Sequence, residues 1–73
     1  MKRLNLNSKV SEAIKLYPEL IEIIADLGFP QVRNAFLRNM FASSYTVSQA
    51  IDHSGLGRVD VINMLIEKGF TIE

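Results

Sequence analysis

Few residues in this chain have side chains that could carry out catalysis or bind a metal. His53 is the single histidine, and there is no cysteine. A catalytic dyad or a zinc centre built on His53 would need a second His or a Cys, and the chain has neither. Glu19, Glu22 and Asp26 recur at i, i+3 and i+7, so one helical face would carry all three. Grouped carboxylates can do acid–base work or hold a hard cation. Here they lie opposite Leu20, Ile21, Ile23, Ile24 and Leu27, and so read as the solvated side of an amphipathic helix. Ser43 and Ser44 have no base nearby in sequence, and the four glycines are dispersed rather than gathered into a phosphate-cradling loop. No catalytic, metal or nucleotide signature emerges, and the expectation is a non-enzyme without a cofactor.

The elements that would position these residues are helical. Val10, Ala13, Ile14 and Tyr17 form one apolar stripe, with Asn7 or Ser8 available as the cap. Pro18 interrupts the run and suits the first position of a second helix, which continues through Leu27. Gly28 stops that helix in a left-handed cap, Phe29 folds back on it, and Pro30 prevents a restart. Ala35–Phe41 predicts a short third helix, with Ser43-Ser44-Tyr45 as loop. Thr46-Val47-Ser48-Gln49 is a capping-box pattern, opening a fourth helix with Val47, Ala50 and Ile51 inward and His53 in its last turn, where a cation suits the helix dipole. A fifth runs to Lys68 with Val61, Ile62, Leu65 and Ile66 inward, and Gly69-Phe70 closes it. No stretch alternates long enough to predict a strand.

Val10-Ser11-Glu12-Ala13-Ile14 matches Val47-Ser48-Gln49-Ala50-Ile51 at an offset of 37, and Gly28-Phe29 matches Gly69-Phe70 at an offset of 41. The pattern predicts an all-α compact bundle of about five short helices in one domain, 1–73. Two pseudo-repeated hairpins, 8–29 and 46–70, would enclose a central segment, 30–45. With 73 residues, 48% hydrophobic content and no disulfide, the core must supply the stability. Eight basic and eight acidic residues cancel, giving no general pull toward nucleic acid or an acidic membrane. The longest apolar run is three residues, and no signal peptide is visible, so the expectation is a cytoplasmic protein with no membrane partner.

Tyr17-Pro18-Glu19-Leu20, Leu27-Gly28-Phe29 and Thr46-Val47-Ser48-Gln49-Ala50 together resemble the hybrid-cluster-protein-associated redox-disulfide domain family, a small helical domain of unknown biochemical role. Many members carry C-x-x-C just after the Gly-Phe turn, whereas this chain has Gln31 and Asn34 there. An amide cannot form the thiolate that disulfide exchange requires, so the resemblance implies a cysteine-less branch without the redox step. Gln31 and Asn34 are expected to be exposed, tolerant positions. Val47–Phe70 is more weakly similar to the helical N-terminal module of bacterial translation initiation factor two and to helix-turn-helix units. Arg58 and Lys68 are offset there by Asp60 and Glu67, so no basic stripe exists and nucleic acid is not the expected partner.

The stretch from Gly28 to Tyr45 holds three of the four Phe residues and, from Phe29 to Phe41, only Arg33 and Arg38 as charges. Phe36, Leu37, Met40 and Phe41 sweep too wide an arc for one short helix to bury them all. Aromatics, Met and Arg together are also the composition of protein interfaces. Two readings stand, core enclosed by the hairpins or a partly exposed interface, with Phe36 and Met40 leaning to core. The interface reading expects Arg33 and Arg38 to flank a strip containing Leu37 and Phe41. It makes the chain a non-catalytic interaction or regulatory domain with a protein partner. The alternative is an accessory module for a small ligand or for redox and iron–sulfur partner proteins.

Overall fold

The computed structural model describes residues 2–73. Five α-helices follow one another: α1 (Val10–Leu16), α2 (Leu20–Asp26), α3 (Ala35–Ser44), α4 (Val47–His53) and α5 (Arg58–Glu67). A 3-10 turn, Pro30–Arg33, links α2 to α3. The fold is mainly α, as the periodicity implies, but it also contains two short strands absent from that reading. β1 (Lys2–Leu4) pairs in parallel with β2 (Phe70–Ile72), Leu4 opposite Ile72. Three-residue strands are too short to show alternation, and their partners lie at opposite ends of the sequence, so no local pattern reveals them.

Both hairpins begin at one backbone junction. The Val10 N–H donates to the Tyr45 carbonyl at 2.9 Å, and the Val47 N–H donates to the Ser8 carbonyl at 3.0 Å. Lys9 and Thr46 face each other across this antiparallel bridge. Donor and acceptor thus exchange roles between positions 37 apart, the spacing of the sequence match. The junction also corrects the expected cap of α1. Lys9 occupies the cap position without a side-chain bond, while Ser8 turns its hydroxyl to the Asn5 carbonyl. α4 carries the full capping box, Thr46 accepting from the Gln49 N–H and the Gln49 side chain accepting from the Thr46 N–H.

The core gathers Val10 and Ala13 from α1, Leu20, Ile23 and Ile24 from α2, and Val47, Ala50 and Ile51 from α4. Val61 and Leu65 of α5 join them, with Leu4 and Phe70 brought in by the strands. Ile62 is half-buried, and Ile66, expected inward, is exposed. Pro18 falls in the turn before α2 rather than opening the helix. The strands are anchored by side chains from the hairpins. The Tyr17 hydroxyl accepts from the Arg3 N–H at 2.9 Å, and its ring meets Phe70 edge-on at 5.4 Å. The Lys2 ammonium sits 4.5 Å from the Phe70 centroid and donates to Glu19 and to the Lys68 carbonyl, both at 3.0 Å.

Gly28 and Gly69 close α2 and α5 with φ of 116° and 98°, the conformation that the two Gly-Phe stops require. A Cβ at Gly28 would meet nothing within 4 Å, so the penalty for a side chain there is conformational rather than steric crowding. Gly28→Ala is expected to cost about 1–2 kcal/mol in urea unfolding. An unchanged midpoint would show that the turn relaxes to another conformation.

Candidate functional site

The site is built on α3, and Asn34 starts it. The Asn34 side-chain oxygen accepts from the N–H groups of Phe36 at 3.0 Å and Leu37 at 3.2 Å. This satisfies two donors that the first turn of a helix leaves free. Asn34 is therefore a structural cap and not the tolerant position expected from the sequence, whereas Gln31 is exposed in the 3-10 turn. The helix runs on through Ser43 and Ser44, which the sequence suggested as loop. Their hydroxyls donate back to the carbonyls of Asn39 and Met40 at 2.8 Å each, keeping the last turn helical.

One flank of α3 is bound into the molecule. Ala42 is buried, and Phe41 is half-buried in a line of rings. Its centroid lies 4.9 Å from Phe29 and 5.1 Å from Tyr45, and Tyr45 meets His53 edge-on at 5.2 Å. Each contact falls in the range of favourable aromatic pairs. His53 thus sits in the last turn of α4 as expected, packed against a ring.

The opposite flank is open. Phe36 is 71% exposed, Met40 58% and Leu37 43%. The lean toward core for Phe36 and Met40 is thereby corrected, because α3 packs on α1 and the 3-10 turn along only one side. Phe36 and Met40 are one helical turn apart and Leu37 adjoins them, so the three make one apolar strip.

The arginines do not flank this strip as the sequence suggested. Arg33 belongs to the 3-10 turn and points back to α2, its guanidinium 3.1 Å from Glu22 and 3.4 Å from Asp26. The Glu22 hydrogen bond and charge, with Asp26 behind them, raise the Arg33 guanidinium above its ordinary pKa. Arg38 lies half-buried and donates from Nη1 to the Val32 carbonyl at 3.1 Å. Of the four residues singled out from the sequence, only Leu37 belongs to the open strip. Arg33, Arg38 and Phe41 hold α3 in place. The strip's other members, Phe36 and Met40, were hidden because hydrophobicity alone does not say which way a side chain points.

Among the described residues, no helix is long and apolar enough to cross a membrane. A family model described as a domain of unknown function, DUF1858, matches residues 4–56, a span that includes the whole of α3. The chain belongs to this family. This DUF1858 chain is also similar to a conserved domain protein from Streptococcus pneumoniae TIGR4, known from its crystal structure, with a TM-score of 0.89 and 22% identity. The match covers 100% of this chain and 92% of that one, and at such identity it shows a shared fold. No curated protein matches the DUF1858 chain.

The capping geometry separates the two amides. Asn34→Ala is expected to lower stability by about 1 kcal/mol through loss of the cap, while Gln31→Ala stays within about 0.5 kcal/mol. Thermal or urea unfolding of the two single variants measures both. Equal, small effects would mean that the N–H groups of Phe36 and Leu37 find water instead.

Proposed function

We propose that this chain is a non-catalytic interaction or regulatory domain that binds a protein partner through the open flank of α3. The observation carrying this reading is the strip of Phe36, Leu37 and Met40, three large apolar side chains exposed side by side on one helix. Aromatic residues and Met are enriched at protein interfaces, and contiguous exposed apolar surface marks such sites more often than isolated residues do. The ring line from Phe29 to His53 and the Asn34 cap support the same reading. They hold α3 rigidly, so little ordering cost opposes docking. The matched backbone bonds 37 residues apart favour an internal repeat, with α3 as the segment displayed between the two copies. A cytoplasmic setting fits a chain without cysteine or a long apolar run.

A second reading rests on the likeness to the hybrid-cluster-protein-associated redox-disulfide family. Asn34 stands at one of that family's cysteine positions and places its oxygen on two helix N–H groups. A thiolate at the same place would be stabilised by those donors. On this reading the present branch keeps the capped turn, replaces the reactive group with a neutral acceptor, and serves redox or iron–sulfur partner proteins without exchanging disulfides itself.

The docking reading is tested by placing a charge in the strip. Phe36→Asp, Leu37→Asp and Met40→Asp each alter an exposed side chain, so stability is expected to move by no more than about 0.5 kcal/mol. Capture of the natural partner from the source cell should fall tenfold or more for each. Glu67→Lys, on α5, serves as the control and should capture normally. Undiminished capture by all three Asp variants would place the interaction elsewhere on the molecule.

A further inference from the structure

A groove of about 180 Å³ runs between α1 and α3, lined by Ser11, Ile14, Lys15, Arg38, Asn39 and Ala42. Its charged side chains are both cations. Lys2, Arg3, Arg33 and Arg58 each have a carboxylate within 4 Å. Among the described residues, neither Lys15 nor Arg38 has one. The chain from Leu27 to Ile51 contains no Asp or Glu that could supply one from α3 or its neighbours. The nearest acid on α1, Glu12, lines a different groove together with Arg3, Tyr17 and Glu73.

Arg38 is also held in place. Its Nη1 donates to the Val32 carbonyl at 3.1 Å in a half-buried setting, leaving the other guanidinium donors unspent. A guanidinium fixed in this way loses less freedom on binding a planar oxyanion than an extended surface lysine would. Ser11 and Asn39 bring further polar groups, and Ile14 and Ala42 supply an apolar floor. The volume lies below the roughly 300–1,000 Å³ of sites for drug-sized ligands, which suits one small group rather than a nucleotide.

We propose that this groove binds a small oxyanion with a short apolar stem, a short-chain carboxylate or a phosphate monoester. The anionic head rests on Arg38 and Lys15, and the stem lies over Ile14 and Ala42. The anionic head is offset from the docking strip, because at 100° per residue Arg38 lies about 100° around α3 from Leu37 and about 160° from Phe36 and Met40. Either proposal can fail without the other.

The experiment is a titration of the whole chain, followed by amide nitrogen–proton spectra, with sodium butyrate, inorganic phosphate and sodium chloride at matched ionic strength. Saturable shifts confined to Ser11, Lys15, Arg38, Asn39 and Ala42 are expected with butyrate or phosphate but not with chloride. Saturation by butyrate alone identifies a carboxylate ligand, and by phosphate alone a phosphate. Arg38→Gln should weaken the response at least tenfold. Because that change also releases the Val32 carbonyl, Lys15→Gln on exposed α1 surface is the companion variant, expected to weaken binding threefold or more with its spectrum otherwise unchanged. Phe36→Asp should bind as the parent does. Shifts that chloride reproduces, or affinity untouched by Lys15→Gln, would overturn the assignment.

Discussion

The arrangement of this molecule depends on the backbone junction at Lys9 and Thr46. A helix that begins inside a small protein must find partners for its first N–H groups. α4 solves part of this with its own side chain, Thr46 taking the Gln49 N–H. α1 has no side-chain cap, and its first N–H is taken by the Tyr45 carbonyl, just before α4 begins. The return bond from Val47 to Ser8, with the Ser48 N–H donating to the Leu6 carbonyl at 2.8 Å, ties the two starts together. Val10 and Val47 consequently enter the core side by side, and α1 and α4 set the frame on which α2 and α5 fold back. Losing the junction would leave the N–H groups of the buried Val10 and Val47 without partners.

The same junction decides what α3 can do. The chain must leave α2, cross the molecule and return at Tyr45 to donate its carbonyl to α1. α3 spans that distance as a ten-residue helix packed on α1 and the 3-10 turn. It has only one flank for contact, and that flank is occupied by Phe41, Ala42 and the anchored Arg38. The remaining large apolar side chains have nowhere to go but outward. Their exposure follows from the geometry of the crossing, and a sequence free to change at these positions would favour polar residues unless something else covers them.

Much of the fold could be read from local signals. Helix starts and stops are written in short patterns: the capping box at Thr46, the Gly-Phe closures, and the 3.6-residue periodicity of Leu20 to Leu27. These work because the interactions they describe span a few residues. What escaped the reading depends on distant partners. β1 is three residues whose mate follows the last helix, and Leu4 gives no sign that it is fully buried. The bonding of Ser43 and Ser44 back to earlier carbonyls extends α3 against the turn-forming tendency of serine. Asn34 looked replaceable because its type suits loops as well as caps, and only the direction of α3 shows which role it takes. At the candidate face, composition pointed to the right helix but to the wrong side of it, since Arg33 finds its carboxylates on α2.

The pairing of β1 with β2 has a consequence for the order in which the molecule can assemble. Synthesis runs from β1 toward β2, so Leu4 is made before every helix and must remain unpaired while all five helices are made. The hairpin of α1 and α2 can form early, and the junction becomes possible once Val47 and Ser48 are clear. Phe70, however, shares the core with Leu4, meets Tyr17 edge-to-face and places its ring beneath the Lys2 ammonium. Until it arrives, one end of the core stays open to water. Folding of this domain is thus completed by the strand that follows α5, and a nascent chain halted within α5 would present an exposed apolar surface to whatever meets it first.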